Sequence, residues 1–114
     1  MATGRNVPDD PLAFIRGCVR DRKVFWTYHV NMRLVGRHMT RDEILAAVEN
    51  YELIESYPDD KYLPSYLVLA AQTSAGFHVL FAADVEADHV RVVTAYRPHA
   101  DEWAPDLKTR RTSP

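Results

Sequence analysis

The apolar residues of this chain change their period once, near residue 50, and that change restricts the fold more than any other feature of the sequence. Before it they recur at helical spacing; after it they alternate or run in short blocks, as strands require. Asp9 or Asp10 followed by Pro11 supplies a cap and a first turn for a helix over about residues 10–23. Leu12, Ile15 and Val19 share its inner face, with Phe14 and Cys18 beside them. Residues 24–27 are a short β-prone run. Residues 28–37 return to helical spacing, with Val30, Leu34 and the neighbouring Met32 and Val35 turned toward a core. Thr40 and Glu43 form a capping-box sequence for a third helix that carries Ile44, Leu45 and Val48 to about Asn50.

Beyond the change of period, a strand starts at residues 53–57, and residues 57–61 read as a turn or loop. Residues 65–71, 77–83 and 89–96 predict three strands at short spacing, joined at Ser74-Ala75-Gly76 and at residues 84–88. In the last strand Val90, Val92, Thr94 and Tyr96 alternate against His89, Arg91, Val93 and Ala95. Helices grouped before strands predict an α+β fold. The helices would pack on one face of a small antiparallel sheet of three to four strands. The 114 residues fit one domain, with a core over about residues 10–104 and loose tails over 1–8 and 107–114.

Composition narrows the function classes. Hydrophobic residues are 46% and charged residues 26%, a globular balance. No apolar stretch is long enough to cross a bilayer, and residues 1–11 carry no basic segment followed by an apolar core, so neither membrane nor signal peptide is expected. Cys18 alone cannot close an intrachain disulfide, which fits a cytoplasmic protein. The net charge of -2 hides a polarised chain. Residues 1–41 carry eight Lys/Arg and three Asp/Glu, a +5 head. Residues 42–106 carry three against thirteen, a -10 middle, and Lys108, Arg110 and Arg111 make a +3 tail. A charge of -2 therefore does not exclude nucleic acid, because local field decides what a surface attracts.

Three groups of residues carry possible chemistry. His29, Arg33 and Arg37 fall on one helical stripe, where an imidazole that titrates near neutral pH stands beside two guanidinium groups suited to phosphate. Tyr57-Pro58-Asp59-Asp60-Lys61 sets a lysine and two carboxylates between prolines at 58 and 64. His78 lies in mid-strand, and Tyr96 and Arg97 close the last strand ahead of Pro98. No phosphate-binding Gly loop, dinucleotide fingerprint, serine nucleophile elbow or zinc motif occurs, so no metal or cofactor is expected.

Taken together, Thr27-Tyr28-His29, Met32-Arg33, Arg37, Thr40 with Glu43-Ile44, and the run Ile54-Glu55-Ser56-Tyr57-Pro58-Asp59-Asp60-Lys61 resemble a family of small bacterial proteins, domain-of-unknown-function family 4258. The resemblance continues through Pro64-Ser65-Tyr66-Leu67-Val68-Leu69, Phe77-His78-Val79, Val92-Val93-Thr94-Ala95-Tyr96-Arg97-Pro98 and Trp103. It covers most of residues 24–103 and leaves the first helix outside the shared core. It implies a RelE/ParE-like toxin architecture, with a small zinc-finger protein of the antitoxin type as partner in some members. RelE-like toxins cleave RNA without a metal, whereas ParE-like members act on other targets. Two expectations follow. One is a toxin-like, metal-independent endoribonuclease in which His29 or His78 handles the proton, Lys61 and Tyr96 assist, and Arg33, Arg37 and Arg97 hold phosphate. The other is a non-catalytic interaction domain whose basic stripe binds an acidic partner protein.

Overall fold

Each helix begins where a side chain satisfies a free backbone donor. In α1 (Pro11–Arg20) the Asp10 carboxylate accepts from the Ala13 N–H at 3.1 Å, and Pro11 opens the first turn, where a missing N–H costs little. In α2 (Tyr28–Gly36) the Thr27 hydroxyl does the same for Val30, also at 3.1 Å. In α3 (Arg41–Ala46) the capping box forms in both directions between Thr40 and Glu43. Helix α1 ends three residues short of the expected 23, released by Arg22 at φ 61°. The expected third helix is split: α3 stops at Ala46 and a 3₁₀ turn, Val48–Asn50, completes it.

The computed structural model describes residues 7–72 and 75–110, and within them five strands rather than the expected three to four form one sheet. They are β1 (Val24–Trp26), β2 (Glu52–Tyr57), β3 (Ser65–Gln72), β4 (Ala75–Asp84) and β5 (His89–Tyr96), in the order β1-β5-β4-β3-β2. The joint expected at Ser74-Ala75-Gly76 involves residue 74, which lies outside the described residues. β2 through β5 are antiparallel neighbours, as the short connections demand. The fifth strand is β1, which pairs parallel to β5 with Val24 opposite Val90 and Trp26 opposite Val92. A parallel partner is reached only through a long crossover, here α2, α3 and three strands, so no local turn signal announces it.

The helices cover one face. Ile15, Cys18, Val19, Val30, Leu34 and Ile44 meet Tyr66, Val68, Val79, Phe81, Val90, Val92 and Ala95 in one buried cluster. Side chains of this kind each contribute about 1.5–3 kcal/mol when fully buried. Met32 and Val35, expected inward, are exposed instead, because a nine-residue helix laid flat on a sheet buries only the Val30–Leu34 stripe.

Two β-bulges decide what the other face carries. In β5 the register shifts so that Leu80 faces Thr94 while Phe81 faces Val92, leaving Val93 as the extra residue. Strict alternation would have kept Thr94 and Tyr96 with Val90 and Val92 under the helices. The bulge turns them to the opposite face, and Ala95 takes the core position. In β2 a second shift, between Leu53 and Glu55, does the same for Glu55 and Tyr57, which pair with Leu67 and Ser65.

Residues 98–110 return across this second face as an irregular strap. Trp103 is buried edge-on against His78, with ring centroids 4.4 Å apart. Gly76 leaves room for Leu107: a Cβ there would lie 2.9 Å from Leu107 Cδ1. Lys108 pairs with Glu52 at 2.9 Å and Arg110 with Glu55 at 2.6 Å. Residues 107–110, expected within a loose tail, are thus held to the sheet, and residues 111–114 lie outside the described residues. Of the expected N-terminal tail only Val7 and Pro8 are described, and Pro8 is buried.

Part of the charge polarisation is spent within the chain. Arg20–Glu49 and Lys23–Asp88 join the basic head to the acidic middle, and Lys108–Glu52 and Arg110–Glu55 join the basic tail to it.

Candidate functional site

The strap covers only part of the second face. Beside it a groove of about 340 Å³ stays open, lined by Tyr57, Asp60, Leu67, Leu80, Thr94, Tyr96 and Arg110. Strand pairing supplies most of this wall, since His78 sits opposite Tyr96 and Leu80 opposite Thr94 in the β4–β5 register. Arg110 comes from the strap and Asp60 from the β2–β3 connection.

A directed chain of hydrogen bonds ends in this groove. His78 Nε2 lies 2.6 Å from the Leu107 carbonyl, which can only accept, so Nε2 carries the hydrogen. Nδ1 is then the acceptor for the Tyr96 hydroxyl at 3.3 Å. His78 is completely buried, and burial lowers its affinity for a proton, opposed by the Leu107 carbonyl. Burial likewise raises the Tyr96 hydroxyl above the ordinary tyrosine range. Both groups rest neutral, with the Tyr96 hydroxyl donating its hydrogen bond to His78 Nδ1.

A charged pair borders them. Arg110 donates through Nε and Nη2 to Glu55, at 2.6 and 3.1 Å, and its guanidinium lies 4.6 Å from the Trp103 ring centroid. The Arg110 hydrogen bond holds Glu55 below the usual carboxylate range, and the Tyr57 hydroxyl donates to the same carboxylate. Bonding to Glu55 in turn raises Tyr57. A guanidinium has five N–H donors, so the pair leaves Arg110 with donors to spare.

The residues singled out from the sequence do not meet in one place. His78 and Tyr96 touch. Lys61 borders a neighbouring recess of about 220 Å³ that shares Asp60 with the groove, and its ammonium lies 5.3 Å from the Tyr62 ring. His29, Arg33, Arg37 and Arg97 belong to the other side of the sheet. Arg33 Nε donates to His29 Nε2 at 3.1 Å on the solvent side of α2. Arg37 donates to the Ala95 carbonyl at 2.6 Å and so ties α2 to β5. Arg97, one residue past Tyr96, turns the opposite way and reaches the His38 carbonyl at 3.4 Å. Tyr57 entered only as the first residue of the Tyr57–Lys61 turn, and Glu55, Arg110 and the Leu107 carbonyl were not singled out as chemistry. Their one sequence signal is charge: a basic tail complementary to an acidic β2 segment. Among the described residues no three His, Cys, Asp or Glu side chains are grouped as metal ligands, and no helix is long and apolar enough to cross a membrane.

Residues 26–97 match a family model described as "Domain of unknown function (DUF4258)". The chain belongs to this family. The DUF4258 stretch runs from the end of β1 to the residue after Tyr96, so it includes both bulges and the His78–Tyr96 pair, and leaves α1 and the strap outside. Nothing among the curated proteins or the solved structures matches the chain.

Proposed function

We propose that this protein is a toxin-like, metal-independent endoribonuclease of the RelE-like kind, and that its chemistry lies in the sheet groove at Tyr96. The observation that carries this reading is the Leu107–His78–Tyr96 chain, whose Tyr96 end lines an open groove beside Arg110. An RNA 2′-OH placed against Tyr96 gives its proton to the tyrosine oxygen as the tyrosine's own proton passes to His78 Nδ1. The freed 2′-oxygen attacks the adjacent phosphorus. The 2′-O–P bond forms, the P–O5′ bond breaks, and the leaving 5′-oxygen takes a proton from solvent, to which His78 returns its own through the Tyr96 oxygen. The products are a 2′,3′-cyclic phosphate and a 5′-hydroxyl. The imidazolium formed on His78 keeps its Nε2–H on the Leu107 carbonyl, which partly offsets the burial that disfavours charge there. Donors left on Arg110 meet the charge growing on the phosphoryl oxygens, and the exposed Tyr57 ring at the groove's edge offers a stacking surface for a base.

Purified protein is expected to cleave single-stranded RNA in EDTA, leaving 2′,3′-cyclic ends. Tyr96→Phe is expected to lower that rate by about 10²–10⁴-fold without changing the circular dichroism spectrum. Absence of cleavage by the wild-type chain, or full activity in Tyr96→Phe, refutes the assignment.

A further inference from the structure

Helix α2 presents an unusual outer face. Val30 and Leu34 are its buried stripe, and at about 100° per residue Tyr28, Met32 and Val35 fall directly opposite. These three are 79%, 54% and 71% exposed, and their i, i+4, i+7 spacing makes one continuous apolar ridge. A guanidinium flanks the ridge on each side. Arg33 stands beside His29 on one side. On the other, Arg41 is held by Asn31 Oδ1 at 2.8 Å and lies 5.1 Å from the Trp26 ring centroid. α2 contains no acidic residue, and none of the ion pairs among the described residues reaches Arg33 or Arg41. Arg20, Lys23, Lys108 and Arg110 pair with carboxylates of the middle, whereas Arg33 and Arg41 border the ridge with no carboxylate partner among the described residues.

We infer that the outer face of α2 docks a partner protein through an amphipathic helix whose apolar stripe is bordered on both sides by Asp or Glu. The aliphatic Met32 and Val35 at the centre of the ridge favour a protein over RNA, which takes aromatic and cationic contacts rather than aliphatic ones. The cations at the rim set orientation and rate of encounter, and the ridge supplies the contact that excludes water. This surface lies across the sheet from the groove and stands independently of the chemistry proposed there.

The test uses the full chain and two synthetic helix-forming peptides with the same leucine stripe, one flanked by Glu and one by Lys. Fluorescence anisotropy is expected to show binding of the Glu peptide, weakening with salt, and none of the Lys peptide. Met32→Glu and Arg33→Glu should each weaken that binding about tenfold or more, while Met32→Glu leaves RNA cleavage unchanged. Amide NMR shifts should concentrate in residues 28–41. Equal binding of both peptides, no binding of the Glu peptide, or shifts concentrated outside residues 28–41 overturns the inference. So does occupation of the ridge by a poly(U) oligonucleotide or by a second copy of the chain in sedimentation runs.

Discussion

One face of the sheet is sealed by three helices and holds an apolar cluster without a single charged side chain; the other is half covered by an irregular strap and holds His78, Tyr96, Glu55 and Arg110. The two faces share the same strands and take alternate residues of them. The helical face can be filled by any apolar set of the right volume. The strap face depends on position: two bulges, one glycine and a carbonyl at the right height decide which polar groups meet. Stability is therefore concentrated on the first face, and the proposed chemistry falls on the second.

The comparison is broken most forcefully through the core. Ile15 has no exposed surface, and Ile15→Ala is expected to cost about 2–5 kcal/mol. The half-buried Leu107→Ala, on the strap, is expected to cost about 1–2 kcal/mol and to open residues 98–110 to hydrogen exchange before the sheet. Urea titrations of the two variants should fall in that order; the reverse order would make the strap the structural face.

Acid sharpens the same contrast. Because burial lowers His78 from its ordinary value of about 6.5, the unfolded chain binds more protons there than the folded one. Its contribution is fully present above that ordinary value and is lost as pH falls through the lowered folded value. Glu55, held low by Arg110, adds a further loss only at more acid pH, below the ordinary glutamate range. Melting temperatures measured from pH 8 to 4 should therefore show a first decline that His78→Gln removes and Ile15→Val retains.

The smallest effect is expected at Tyr66. Its hydroxyl is buried under the helices without a hydrogen-bond partner, so Tyr66→Phe should leave stability within about 0.5 kcal/mol of wild type or raise it. A loss well beyond that would mean the helical face holds a polar interaction essential to it.

Much of the helical face was legible in the sequence. Asp10, Thr40 and Glu43 announced the starts of α1 and α3, and Val30, Leu34 and Ile44 the buried sides of α2 and α3. The second face was only half legible. His78 and Tyr96 stood out as residue types, but strict alternation put Tyr96 with Val92, and only the bulge at Val93 brings it to His78. A bulge adds one residue without a composition signal, so period alone cannot reveal it. The strap was hidden for another reason: residues 98–110 have no period, and their docking rests on Lys108 and Arg110 finding Glu52 and Glu55 about 55 positions earlier. The parallel β1 is the same case in the sheet. Of the His29–Arg33–Arg37 stripe, His29 and Arg33 meet on the solvent side of α2, while Arg37 caps the helix and turns to the Ala95 carbonyl; spacing on one helix does not say which side of the sheet it faces.

The assignment of chemistry to the strap face is tested most directly by cleavage rates of two variants measured side by side in EDTA: Tyr96→Phe on that face and the double change His29→Ala with Arg33→Ala on the other. Tyr96→Phe should lose about two orders of magnitude or more, and the α2 double variant should cleave as the wild type does. A double variant that is inactive beside an active Tyr96→Phe would move the chemistry to α2 and contradict the account.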